Sequence, residues 1–397
     1  MILFSSLNSG ISLHLQINHF MHTGYMKLKY IAFLLLIFVG FVSCSDDNPE
    51  PELQSGRTVL VYMIESNLGS SLQSNIDNMI KGAQKQNLNG GHLIIYYSPT
   101  GQEPELIELK EGANGIVTRN HIKNYAIQSA IDPKVMNSVI QDVVTMYPGE
   151  SYGLILSSHG MSWLPTEYTS MLRSFGEENK KSMEINELAE GLPNDLFDYI
   201  LIDACYMGSI ECVYELRHKT DYIIASAAEI WAYGFPYQTI IPYLFSGTAQ
   251  VEKIAKTYYD FYENMKDYSN ATVVVVKTDE LDNLTTATRN ILTNTPLDSI
   301  YALSRVSMQR YDRFNTALLY DFDEYISKLD STEKYNDFSA ALNKAVVCKY
   351  NTETDFYGKK FTHYSGLSVY IPRSKYITLN NWYWNPEQLE WATAVYK

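Results

Sequence analysis

Tyr152-Gly153-Leu154-Ile155-Leu156-Ser157-Ser158-His159-Gly160 and Tyr199-Ile200-Leu201-Ile202-Asp203-Ala204-Cys205-Tyr206-Met207-Gly208 are built alike. Each opens on an apolar run, Tyr152 to Leu156 and Tyr199 to Ile202, and closes on small and reactive residues. Short unbroken apolar runs of this kind read as strands buried on both faces. Such strands, separated by helices, build a mostly parallel sheet, and sites in those sheets gather beyond the carboxyl ends of the strands. His159 and Cys205 both fall there. Two residues far apart in sequence then meet at neighbouring strand tips, as a cysteine nucleophile and its proton acceptor must.

The same alternation extends outward. Thr58 to Ile64, Leu93 to Tyr97 and Leu106 to Lys110 read as strands. Ser70 to Gln84 has helical spacing, with Leu72, Ile76 and Met79 on one side, and Pro133 to Met146 is a helix with proline near its start. The polar stretch 161–183 reads as a long loop, Ile185 to Leu192 and Tyr206 to Arg217 as helices, and Tyr222 to Ala225 as a strand. Val251 to Tyr268 is an amphipathic helix before the strand Thr272 to Val276. Beyond about residue 280 the pattern turns helical and aromatic. Leu281 to Asn294, Ala317 to Leu329 and Asn336 to Val347 are expected helices, Gly366 to Pro372 is an expected strand, and Trp382, Trp384 and Trp391 pack a small subdomain. The fold class is α/β, with a smaller C-terminal subdomain over residues 281–397.

The chain has 397 residues, nearly half of them apolar, so a large core is available. Its net charge of −14 argues against nucleic acid and leaves a basic peptide open as a partner. Met26-Lys27-Leu28-Lys29, the apolar stretch Tyr30 to Val42 and the small Ser43 make a bacterial secretory signal over residues 26–43. Residues 1–25 precede a plausible start at Met26. Cys44 resembles the acylated cysteine of a lipoprotein, and residues 44–56 form a polar linker. Ser45-Asp46-Asp47 resembles signals that carry lipoproteins of Gram-negative bacteria to the cell surface. The expected location is therefore the cell envelope, at the outer membrane, with a lipid as the membrane contact. Of the other cysteines, Cys205, Cys212 and Cys348 cannot all pair internally, and a Cys212–Cys348 bridge is compatible with the sequence.

A thiol is mostly protonated near pH 7, and a neighbouring imidazole can take its proton or hold the thiolate as an ion pair. A helix starting at Tyr206 would place its N-terminus beside Cys205 and favour the thiolate. Gly160 admits a substrate carbonyl close to the backbone, and its N–H and that of Cys205 are candidates for an oxyanion hole. Asp203 lies on the same strand face as Cys205. By residue type alone it is a pocket carboxylate or a structural capping group.

These motifs resemble those of the clostripain-like cysteine peptidases of family C11, clan CD, which have a caspase-like α/β/α sandwich. The likeness runs from about Arg57 to Tyr396. It also rests on Thr58-Val59-Leu60-Val61-Tyr62-Met63, Asn67-Leu68, Gly234-Phe235-Pro236-Tyr237, Leu319-Tyr320-Asp321-Phe322 and Gly366-Leu367-Ser368-Val369-Tyr370-Ile371-Pro372. The resemblance implies a catalytic domain over 57–280, His159 as general base, Cys205 as nucleophile and Asp203 in the pocket for the residue before the scissile bond. It implies a peptide or protein substrate, cleaved after Arg or Lys through a thioester. Departures are Glu65-Ser66, where relatives often have Asp-Asn, and Ser226-Ala227-Ala228-Glu229, where an alanine stands in place of an acid that relatives often carry; Glu229 is then the candidate for a second pocket carboxylate. Self-cleavage between the two motifs, at Arg173, Lys180 or Lys181, is a further implication. No metal site is evident, and calcium enters only through the resemblance. The rival reading is an inactive or non-peptidase surface lipoprotein that binds a protein or glycan.

Overall fold

The structure is a computed structural model that describes residues 54–165, 174–178, 180–247 and 249–397. The signal segment, Cys44, the linker up to residue 53 and Arg173 lie outside the described residues. In chain order the strands are β1 (Gln54–Ile64), β2 (His92–Ser98), β3 (Glu105–Glu111), β4 (Val117–Asn124), β5 (Gly149–Ser157), β6 (Phe175–Glu178), β7 (Lys181–Met183), β8 (Phe197–Asp203), β9 (Thr220–Ala225), β10 (Thr272–Lys277), β11 (Leu319–Asp321), β12 (Val346–Asn351) and β13 (Ser368–Tyr370). Nine of them form one sheet in the order β12-β10-β9-β8-β5-β1-β2-β3-β4. The central strands β2-β1-β5-β8-β9 run parallel, and antiparallel pairs flank them at both edges.

The centre is parallel because its strands are apolar on both faces. Along β1, Leu60, Tyr62 and Ile64 enter one core while Val59, Val61 and Met63 enter the other. On the first side Met136, Leu188, Leu284, Phe338 and Trp391 bring in the helices Pro133–Met146, Ile185–Gly191, Leu281–Leu292, Glu333–Ala345 and Glu390–Tyr396. On the second, Leu72, Ile240 and Ile254 bring in Gly69–Gly82, Tyr237–Leu244 and Val251–Glu263. The result is the expected α/β/α sandwich.

Several elements depart from the sequence expectation. β4 was not foreseen, because Thr118, Arg119, Asn120 and His121 are exposed on an edge strand and show no apolar alternation. The stretch 161–183, expected as a loop, carries the β6–β7 hairpin, with Phe175 opposite Met183. The expected helix Ala317 to Leu329 is split: Asp321 ends β11, and its carboxylate caps the helix Phe322–Ser327 by accepting from the Glu324 N–H at 3.0 Å. The expected helix Tyr206 to Arg217 shrinks to Ile210–Glu215, capped by Ser209. Residues 281–397 supply β12 to the sheet edge as well as helices to one layer. Cys205, Cys212 and Cys348 are free thiols, so the bridge compatible with the sequence is not formed.

Candidate active site

β5 and β8 are parallel neighbours, and their last register pair is Ser157 with Asp203. His159 and Cys205 each stand two residues further on. The two loops touch: a Cβ on Gly160 would lie 2.6 Å from the Cys205 carbonyl oxygen and 2.8 Å from Ala204 Cβ, so only glycine permits this approach. Ser158 Oγ donates to the Ile64 carbonyl at 2.9 Å and ties the first loop to the end of β1. His159 and Cys205 line one cleft of about 350 Å³.

His159 Nε2 is hydrogen-bonded to Asn67 Oδ1. Burial holds the imidazole below its ordinary pKa, with Glu177 opposing, so it is neutral near pH 7 and able to accept a proton. Cys205 Sγ accepts from the Ile230 N–H at 3.3 Å and lies 3.6 Å from the Ile230 carbonyl. Burial pushes the thiol up to about 12, with Glu229 and Asp203 adding to the rise and the Ile230 N–H and Arg313 opposing it. The expected help from a helix is absent, because the helix begins only at Ile210. Between them Tyr206 adopts a left-handed φ of 62°, a strain of roughly 1–3 kcal/mol for a non-glycine residue. Its N–H bond to the Ala228 carbonyl (2.9 Å) and its packing on Phe314 hold that turn. Among the described residues, no hydrogen bond takes up the Gly160 or Cys205 backbone N–H, so both are free to meet an oxyanion.

Asp203 is 6% exposed and accepts from Tyr237 Oη at 2.5 Å. Burial raises its carboxyl to about 6, against the bonds from Tyr237 and the Phe235 N–H. Asn75, 2% exposed, also lines the cleft, and its Oδ1 has no partner among the described residues. A buried carboxylate and a buried, unpaired amide oxygen form a floor that suits a cationic head group. Sequence reading missed Asn75, because an asparagine within an amphipathic helix gives no signal before the helix is docked. Glu229 lies in the same cleft, 11% exposed, but it is ion-paired with Arg313 Nε at 2.6 Å. Arg313, Phe314 and Phe356 come from the C-terminal third and complete the wall. Lys180 and Lys181 are exposed in the β6–β7 hairpin and are not among the residues that line the cleft, with Lys180 at a left-handed φ of 63°.

One group of possible metal ligands occurs among the described residues: Asp321, Asp323 and His363. It does not fit calcium. Asp321 is already bonded by Tyr311 Oη, the Glu324 N–H and the Ser365 N–H, His363 pairs with Asp323 at 3.1 Å, and calcium takes oxygen ligands.

A sequence profile of the clostripain family matches residues 61–396. No curated protein matches the chain. Among solved structures, an inactive zymogen C11 protease from Parabacteroides distasonis is 36% identical, with a TM-score of 0.78 over 86% of this chain and 98% of the other. A secreted C11 cysteine protease from Bacteroides thetaiotaomicron, in complex with an irreversible peptide inhibitor, is 30% identical, with a TM-score of 0.74 over 85% and 98%. A further structure of a secreted C11 cysteine protease from that organism, called iotapain, is 30% identical, with a TM-score of 0.76 over 87% and 100%.

Proposed function

This chain belongs to the clostripain family and is a cysteine peptidase, and from that premise we propose that it cuts peptide bonds after Arg or Lys with Cys205 as nucleophile and His159 as general base. The observation that carries the reading is the meeting of His159, Cys205 and the buried Asp203 in one cleft. A thiol held near 12 is not a preformed thiolate, so its proton moves to the neutral imidazole as substrate binds. The sulfur attacks the scissile carbonyl, and the oxyanion is met by the N–H groups of Gly160 and Cys205. The imidazolium gives its proton to the leaving amine as the C–N bond breaks, which leaves a thioester. Water, deprotonated by His159, then attacks the thioester, and the thiol and a carboxylic acid are released. Asp203, with Asn75 beside it, receives the cationic side chain. The preference for the ionised carboxylate at neutral pH agrees with a value raised only to about 6.

Cleavage of fluorogenic peptides with Lys, Arg or an uncharged residue at the cleaved position tests this. Cys205→Ala is expected to abolish all cleavage. Asp203→Asn is expected to lower kcat/KM for Lys and Arg substrates by about a hundredfold and for uncharged ones far less, following the loss of one buried charge-assisted contact. Equal losses on both would remove the pocket role.

The signal at 26–43 and the comparison with a secreted relative support export, with Cys44 acylated and the chain anchored at the outer membrane. The exposed Lys180 and Lys181 support self-cleavage in the hairpin. Intact-mass analysis reads both. The mature chain should begin at a lipid-bearing Cys44, and the wild type should show a cut near 180 that Cys205→Ala lacks; an unlipidated, uncut active chain would remove both.

A further inference from the structure

Among the described residues that line the cleft, Arg313 carries the one permanent positive charge. Its guanidinium is held at two points. Nε meets Glu229 Oε1 at 2.6 Å, and Nη1 donates to Tyr357 Oη, with the Tyr357 ring centroid 5.6 Å away. No acceptor among the described residues takes Nη2, and the side chain is 54% exposed. Two consequences follow for a peptide in the cleft. Glu229 is already matched, so a substrate cation would have to displace a guanidinium that the chain itself keeps in place. A substrate carboxylate instead meets an oriented N–H edge with the planar geometry that guanidinium and carboxylate share. The protein as a whole is strongly negative, so among the described residues Arg313 is the cleft's one fixed positive charge in a field that otherwise repels acids.

We propose that Arg313 is a specificity residue that reads an acidic side chain, Asp or Glu, on the substrate next to the residue at which the chain is cut. The proposal rests on the reading of His159 and Cys205 as the catalytic pair. It adds to the basic pocket a second requirement of opposite sign, so that a neighbouring acid and base in the substrate are recognised together.

The test is a library of short peptides cleaved by the purified mature protein. The cleaved position is fully varied, and Asp, Ala or Lys is placed in turn at the two positions on either side of it. The expected result is a kcat/KM for Asp about three- to tenfold above Ala at one position, the modest size that a half-exposed pair allows. That Asp/Ala ratio should fall to about one in Arg313→Gln and below one in Arg313→Glu. Because the ratio is taken within each variant, a general change in rate does not enter it. Lys outperforming Asp at every position would overturn the proposal. So would an Asp preference that survives in Arg313→Gln. An Arg313-dependent Asp preference in peptides cut after uncharged residues would keep this inference and remove the basic pocket. No cleavage of any member would remove both.

Discussion

Cys205 shows how much a single residue's chemistry depends on its immediate shell. Its sulfur is bonded to the Ile230 backbone, and His159 Nε2, across the cleft lining, is bonded to Asn67, so each of the two proposed catalytic groups has a protein partner of its own. Gly234 does comparable work for the pocket. It sits at a φ of 64°, and a Cβ there would fall 2.3 Å from Asp203 Oδ2 and 3.0 Å from Asn75 Nδ2. Gly234→Ala is therefore expected to push the carboxylate out of place. Kinetics on matched peptides should show the Lys or Arg preference lost, with a fall in stability of about 1–2 kcal/mol from the left-handed backbone alone. Retained preference would mean that the carboxylate does not depend on this close approach.

The helix Ile210–Glu215 is only six residues long, yet it buries two carboxyl groups. Glu211 Oε1 accepts from the Tyr370 N–H at 2.8 Å, and Glu215 Oε1 accepts from the Glu390 N–H at 2.6 Å. Burial raises Glu211 to about 8 and Glu215 to about 7. Both folded-state values lie above the unfolded value of about 4.5. The folded state then binds more protons than the unfolded one between those values. The stability from these groups is fully present below about pH 4.5 and is lost as pH rises through 7 to 8. Tm is expected to fall across that range, and Glu211→Gln should flatten its dependence while it keeps the acceptor for Tyr370. An unchanged slope in that variant would locate the effect elsewhere.

On the scale of the whole molecule, the C-terminal third is bound into the same cores as the catalytic strands. β12 extends the sheet, and Trp391, 1% exposed, packs on Tyr214 and Phe322. Arg313, Phe314 and Phe356 reach from it into the cleft. Trp391→Ala should cost about 3–5 kcal/mol, read as a shift in the denaturant midpoint, the usual cost of emptying a fully buried aromatic site. A near-neutral effect would mean that the last helix is separable. Among the described residues no helix is long and apolar enough to cross a membrane.

The central strands, the places of His159 and Cys205 beyond them and the family were legible in the sequence, because buried parallel strands need unbroken apolar runs and those runs are local. The same local signal failed at β4, whose polar residues are placed by pairing with β3 and by the Arg119–Asp77 and Lys123–Asp142 ion pairs, and at 317–329, where Asp321 both ends a strand and caps a helix. Only the tertiary structure decided which groups share the cleft. Asn75, Ile230 and Arg313 come from three separate stretches of chain, and the pairing of Arg313 with Glu229 joins residues 84 positions apart. Periodicity reports which side of an element is buried; which charge stands opposite which depends on how the elements pack, and that is set by the shape of the whole core.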